Sequence, residues 1–369
     1  MGIGKIIAAL IIFSIIVVIH ELGHFLLAKK NGIFVTEFSV GMGPRIATIC
    51  KTKDGIRGGF FVSTKSMNER EGWQDVTKYS IKLLPLGGSC IMLGEDEIIE
   101  DEAAFNKKGV WARISVVFAG PFFNFILAFV LAMILVAYVG YQPSVISDVE
   151  AGMPMEKAGL KAGDEIIQIN NSKINMTEDI AAYMTFHPMD GSKVDIRYVR
   201  DGQKYDASVT PVKTDMGYRL GFSYAGEYKK ATPVEVVKYG FLECKYWVKV
   251  TVLSLKQMVL GKVSKDDIAG PVGIVNMVGD VIEETEQYGF MTMVMSLINM
   301  CILLSANLGV MNLLPIPALD GGRLVFLFIE VIRGKPVDQD KEGMVHFIGL
   351  VALMLLMVLV AYNDIMRIF

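Results

Sequence analysis

The chain has 369 residues, of which 52% are hydrophobic and 20% charged, with a formal net charge of −3 and a mean hydropathy of +0.44. Soluble domains carry about 25% charge. Here the apolar excess collects in long runs, which marks a membrane protein and not a greasy core. The acidic balance excludes the broad basic field of a nucleic-acid binder.

Taken in chain order, four segments have the roughly 20 mostly apolar residues that a membrane helix needs. They are about Ile6–Ala28, Ile114–Val139, Phe290–Leu314 and Val345–Tyr362. The first has no small-residue cleavage site behind it, so it reads as a span and not as a signal peptide. Gly322–Ile332 is apolar but contains Arg323 and Glu330. It reads as a continuation of the third span or an interfacial helix.

Orientation follows the basic residues that flank the spans. Lys29, Lys30, Lys107, Lys108 and Arg113 bracket the first connection, and Arg333, Lys335 and Lys341 precede the fourth span. Both regions are expected in the cytosol. Both chain ends and the region between spans two and three are then expected outside. The cysteines Cys50, Cys90, Cys244 and Cys301 have no CxxC spacing, so a zinc ribbon or thioredoxin-like motif is excluded. The topology puts Cys50 and Cys90 inside, Cys244 outside and Cys301 in a span, so no intrachain disulfide is expected.

Late in the first span stands His20-Glu21-Leu22-Gly23-His24. Histidines at i and i+4 share one helical face about 6 Å apart. Two imidazoles can therefore reach one tetrahedral zinc, with Glu21 beside them to take a proton from a water that the metal activates. Ile6 to His20 is about 21 Å of helix, which puts the motif in the cytosolic part of the bilayer. Ionisable groups at that depth are costly and usually functional.

A catalytic zinc needs a third protein ligand. His187 falls in the outside region, while His346 begins the fourth span. Asp320 is the better candidate. It lies in Asn312-Leu-Leu-Pro-Ile-Pro-Ala-Leu-Asp320-Gly-Gly322, where two prolines break the helix and two glycines permit a turn. Broken backbone at membrane depth is tolerated where it lines a cavity. Spans one and three run in the same direction and carry their motifs late, so both motifs reach the same depth. A capping role for Asp320 and a role for His346 both stay open at this point. Asn312 could bond a substrate carbonyl or an oxyanion, or hold helices together.

HELGH and NLLPIPALDGG together resemble the site-2 protease family of intramembrane zinc metalloproteases, nearest to its bacterial regulator-of-sigma-E protease (RseP) type. Ser39–Pro44, Pro85–Gly88, Ala119-Gly120-Pro121-Phe-Phe-Asn124 and Asp266–Gly273 resemble further segments of that family in the same order. The resemblance implies one zinc ion held by His20, His24 and Asp320, with Glu21 as general base and Asn312 helping to hold substrate. It implies substrates that are single-span membrane proteins, such as anti-sigma factors or signal-peptide remnants. Partners are then the lipid bilayer and these substrates, with no nucleic acid. The implied location is the bacterial cell membrane, with the zinc site near the cytosolic face.

Two regions remain. Gly58–Leu93 contains strand-like pieces at 59–63, 79–84 and 89–93. The family likeness suggests a membrane-dipping β element, and an exposed edge there could accept substrate as an added strand. A plain cytosolic hairpin is the alternative. In the outside region, Ala158-Gly159-Leu160-Lys-Ala162-Gly163-Asp164 and the isoleucines after it resemble the signature of PDZ domains of bacterial proteases. Asp201-Gly202 between alternating segments predicts a hairpin turn. One PDZ-like domain stands where the best-known family form has two. Residues 228–261 have helix-like spacing and read either as helices on the outer membrane surface or as a packed accessory helix.

The expected fold is a polytopic α-helical membrane protein with four spans, a cytosolic-side β element and one extracytoplasmic PDZ-like domain. Its parts are the first span (1–30), β element and loops (31–112), second span (113–142) and PDZ-like domain (143–214). Amphipathic helices (215–288), the third span with the LDGG segment (289–333) and the fourth span (334–369) follow. An intact histidine motif with Asp320 argues against a silent PDZ scaffold. Four spans without paired repeats argue against a transporter.

Overall fold

The computed structural model describes residues 3–95, 97–215, 217–224, 226–263 and 270–368. In chain order it begins with α1 (Ile3–Lys30), β1 (Val35–Thr52), β2 (Gly55–Phe60), α2 (Thr64–Glu69), β3 (Lys78–Met92) and α3 (Val110–Val139). Next come β4 (Asp148–Val149), α4 (Pro154–Lys157), β5 (Glu165–Ile169), β6 (Ser172–Lys173), α5 (Thr177–Phe186), β7 (Val194–Arg200) and β8 (Gln203–Val209). Then β9 (Val212–Thr214), β10 (Gly217–Arg219), β11 (Phe222–Ser223), α6 (Pro233–Val259), α7 (Pro271–Glu286), α8 (Phe290–Asn312), α9 (Asp320–Arg333) and α10 (Gln339–Ile368) complete the chain. Two compact units result: Met1–Ala128 with Gln257–Phe369, and Phe129–Lys256.

Four helices among the described residues are long and apolar enough to cross a membrane: Gly4–Lys30, Val110–Val139, Phe290–Asn312 and Asp340–Asp364. They match the four expected spans. Gly322–Ile332 does not continue the third span. α8 stops at Asn312, the Pro315–Leu319 segment turns, and α9 begins afresh at Asp320. The two ionisable groups that argued against a fifth crossing are each paired. Arg323 meets Glu95, and Glu330 meets Arg113 of α3.

The first unit holds the spans together at several levels. Ala9, Ile12 and Ile16 of α1 bury against Val278 of α7 and Met300 of α8. Lower down, Ala28, Ile33, Val35 and Met92 share a core with Val116 and Val117 of α3 and with Leu324 and Leu327 of α9. Gly23 lets α1 and α3 nearly touch, since a Cβ there would lie 2.8 Å from the carbonyl carbon of Ala119. That contact sits inside the HELGH motif, so one glycine both packs the helices and brings α3 beside the histidines.

The β element is larger than the sequence pieces suggest. Its order is β2-β1-β3, with β1 pairing antiparallel to β3 over Val35↔Met92 to Val40↔Gly88 and again over Ala47↔Ile81 to Cys50↔Lys78. The expected pieces 79–84 and 89–93 are one bent strand, and β1 was not anticipated at all. The register breaks between Val40, Met42 and Arg45. Gly41 has φ +88° and Gly87 has φ +75°, so both strands bend where a side chain would be strained. Ile56, Phe60 and Phe61 project almost fully exposed from the outer strand β2 and its end. The stretch 264–269, part of one family-like segment, lies outside the described residues.

In the second unit, strands order as β6-β5-β7-β8, with β4 paired to β11. Its core contains Ile146, Leu160, Ile166, Ile169, Ile180 and Ile196. The β7–β8 hairpin turns at Asp201 (φ 51°) and Gly202 (φ 76°), the double positive φ of a type I′ turn. Asp164 is buried and takes both oxygens to Arg200, at 2.7 Å each. Residues 228–261 form mainly one helix, α6, and not several. It packs on the C-terminal part of α3, where a Cβ on Gly240 would lie 2.8 Å from Met133, and just beyond α3 Tyr239 stacks on Tyr141 at 3.6 Å.

Candidate metal centre

The fold brings three of the predicted residues to one point. His20 and His24 are one turn apart on α1 and buried, and their Nε2 atoms lie 3.2 Å apart. Asp320 opens α9, and its Oδ2 is 3.2 Å from His20 Nε2 and 3.5 Å from His24 Nε2. Among the described residues this is the one group of three His, Cys, Asp or Glu side chains near enough to share a metal ion.

The spacing suits zinc. A tetrahedral ion with ligands at about 2.0–2.1 Å needs donor atoms about 3.3–3.4 Å apart, and the three observed distances straddle that value. Asp320 Oδ2 is buried without a hydrogen-bond partner. Such an oxygen facing two imidazole nitrogens suits a cation held among them. Two nitrogens and one oxygen also leave a fourth position open, as in catalytic zinc sites.

Local sequence explains how the carboxylate arrives. Pro315 and Pro317 cannot continue α8, and Ala318 takes φ +75° to reverse the chain. Gly321 then packs where a Cβ would lie 2.5 Å from the Leu313 carbonyl group. Asp320 is thereby held in the first turn of α9, where the helix dipole favours a negative charge.

His346 has a different task. Its Nδ1 accepts the Ala318 N–H at 2.9 Å, so α10 braces the turn that presents Asp320. Glu21 is outside the three-residue cluster and faces the sheet. A Cβ on Gly88 of β3 would lie 3.1 Å from its Cγ. Asn312 is the half-buried last residue of α8 and is not part of the cluster. His187 belongs to the other unit, where its ring stacks on Tyr183.

Sequence reasoning missed what α3 contributes. His24 Nδ1 lies 2.9 Å from the Val116 carbonyl, and Asn124 lies 3.2 Å from His20 Nδ1. Gly120 fits directly beneath both rings. The Ala119–Asn124 stretch had drawn notice only for its family likeness, with no role attached.

The profile of Peptidase family M50 matches residues 8–62 and 59–356. The chain belongs to this family, the site-2 proteases. A Clostridium acetobutylicum protein is 39% identical over 99% of the chain and 98% of its own length. The regulator of sigma-W protease RasP of Bacillus subtilis is 34% identical with both chains fully covered. The zinc metalloprotease RasP of Geobacillus kaustophilus is 31% identical over 99% of the chain and 98% of its own length. The M50 assignment makes this protein a zinc metalloprotease of the membrane, and its four apolar helices and its cluster of donors agree with that.

Proposed function

We propose that this M50 protein hydrolyses peptide bonds within the transmembrane segments of single-span membrane proteins, such as anti-sigma factors and signal-peptide remnants. The observation that carries the reading is the position of Asp320 Oδ2 between two Nε2 atoms on a membrane-spanning helix. His20, His24 and Asp320 hold one zinc ion. His20 is about 24 Å of helix from Gly4, so the site lies deep in the bilayer and close to its cytosolic side.

Bound there, zinc would supply a Lewis acid for the scissile carbonyl and would lower the pKa of a coordinated water toward neutrality. Glu21 takes the proton from the attacking water on its carboxylate and passes it to the leaving amide nitrogen. Asn312, at the end of α8, donates its amide N–H to a substrate carbonyl and positions the unwound segment. The substrate must leave its helix before cleavage, because helical hydrogen bonds shield its carbonyls. β3 is an outer strand of the sheet and passes Glu21 at Gly88. Its edge accepts the unwound substrate as an added strand.

Residues 143–214, within the second unit, are a PDZ-like domain on the extracytoplasmic side of the bacterial cell membrane. It excludes substrates whose outer portions have not been trimmed. The flanking lysines and arginines support this orientation.

The test is co-expression of a tagged single-span substrate with wild type or Glu21→Gln. A smaller product with wild type alone supports the reading. Equal product from both, or none from a zinc-loaded wild type across a panel of single-span substrates, overturns it. Deleting 144–212 should leave a short, pre-trimmed substrate cleavable. Complete loss with intact folding would rule out a filter role.

A further inference from the structure

A zinc-ligating histidine presents a lone pair on one ring nitrogen and carries its proton on the other. That second nitrogen nearly always donates to an acceptor, which fixes the tautomer and the ring plane. Both histidines here turn Nε2 toward Asp320, so both Nδ1 atoms must carry protons when zinc is held. For His24 the acceptor is evident. It is the backbone carbonyl of Val116, at 2.9 Å.

For His20 the neighbour at Nδ1 is a side chain. Asn124 is fully buried in α3, and its Nδ2 lies 3.2 Å from His20 Nδ1. Its Oδ1 is buried with no partner. In that orientation the amide would donate to Nδ1 and leave the imidazole proton on Nε2, against Asp320. Turning the amide through 180° keeps its shape and exchanges the two atoms. Oδ1 then accepts from His20 Nδ1–H, and Nε2 becomes a lone-pair donor. One side of the amide is unpaired in either orientation, so the protein alone does not choose. Zinc chooses, because only the second orientation frees Nε2.

We infer that Asn124 is a positioning residue of the metal centre, whose side-chain oxygen holds His20 in the tautomer that binds zinc. The surroundings fit a fixed support. The Asn124 carbonyl accepts Ser305 Oγ–H from α8 at 2.8 Å, and Ser305 is fully buried. Asn124 therefore joins three helices at the level of the metal. α3 becomes the outer support of the whole site, with Val116 behind His24, Gly120 beneath both rings and Asn124 behind His20.

This inference rests on the ligand set proposed above. Zinc retention by the purified full chain in chelator competition tests it, in four variants. Asn124→Leu fills the same space without a polar atom, and Asn124→Ala removes the side chain. Both should weaken zinc binding about 10- to 100-fold, the usual cost of losing such a support. Asn124→Asp should hold zinc at least as well as wild type, because a carboxylate can only accept. An amide that served by donating its N–H would not be replaced by Asp. Wild-type zinc affinity in the Leu and Ala variants would overturn the inference. So would Ala-like loss in a folded Asn124→Asp. His20→Ala, the fourth variant, separates the two ideas. Undiminished zinc there overturns the ligand set itself. Loss there with full affinity in Asn124→Leu overturns only the role of Asn124.

Discussion

Gly120 of α3 lies so close beneath His24 that a Cβ on it would stand 2.5 Å from the ring carbon Cε1, and 2.8 Å from Cε1 of His20. Real Cβ atoms do not come that near, and the rings cannot retreat because α1 and α3 already touch at Gly23 and Ala119. Gly120→Ala is therefore expected to displace both imidazoles. Zinc affinity should fall by at least about 10-fold, the range seen when ligand orientation is disturbed. Chelator competition with the purified protein checks this. Gly109, which meets nothing within 4 Å, is the control position, and Gly109→Ala should leave zinc binding unchanged.

Glu21 should separate binding from turnover. It is not part of the metal cluster, and its side chain rests against Gly88 of the sheet. Glu21→Gln is expected to keep one zinc per chain while peptide hydrolysis drops by about 10²- to 10⁴-fold, the usual contribution of general acid–base catalysis. Metal analysis and a substrate-cleavage assay on the same preparation decide it. Full activity in the variant would remove Glu21 from the chemistry.

Much of the site was legible because its information is local. An i, i+4 pair of histidines must share a helix face, and a carboxylate after two prolines and before two glycines must sit on a turn. The hairpin at Asp201-Gly202 was legible for the same reason. What remained hidden depends on tertiary contacts. No periodicity in α3 says that Val116 and Asn124 will face imidazole nitrogens, since that follows from how two helices cross. β1 was hidden because Gly41, Gly43 and Pro44 interrupt its pattern, and the glycines turn out to bend a continuous strand. β3 was read as two pieces because its bend at Pro85–Gly88 looks like a stop.

Asp320 and His346 should behave oppositely. Asp320→Ala removes the only carboxylate facing the two Nε2 atoms among the described residues. Zinc should be lost on dialysis. His346 instead accepts the Ala318 N–H, and Gly349 of the same helix packs beneath Pro317. His346→Ala should therefore keep zinc stoichiometry but loosen the turn. Ala318 is exposed, so the lost hydrogen bond should cost only about 0.5–1.5 kcal/mol. Thermal unfolding with and without zinc, together with metal analysis, tests both variants. Zinc retained by Asp320→Ala and lost by His346→Ala would reverse the assignment of the third ligand.

In the second unit, Glu243 of α6 sets a pH dependence. Burial pushes its carboxyl up, the nearby Glu178 and Asp179 add to this, and the Trp247 indole only partly offsets them, so that it titrates at about 7. The folded state thus holds this proton more tightly than the unfolded chain, whose glutamates titrate near 4.5. Stability from this group is full below about pH 4.5, declines as pH rises toward 7, and is lost above that. Glu243→Gln stays neutral at every pH. It should therefore stabilise the second unit at pH 8 by on the order of 1–2 kcal/mol, after allowing for solvent screening of a half-buried group. The advantage should vanish at pH 4.5. Hydrogen exchange along α6 in the full-length protein reads the unit directly. An unchanged difference between variant and wild type from pH 4.5 to 8 would show that Glu243 keeps an ordinary carboxyl group.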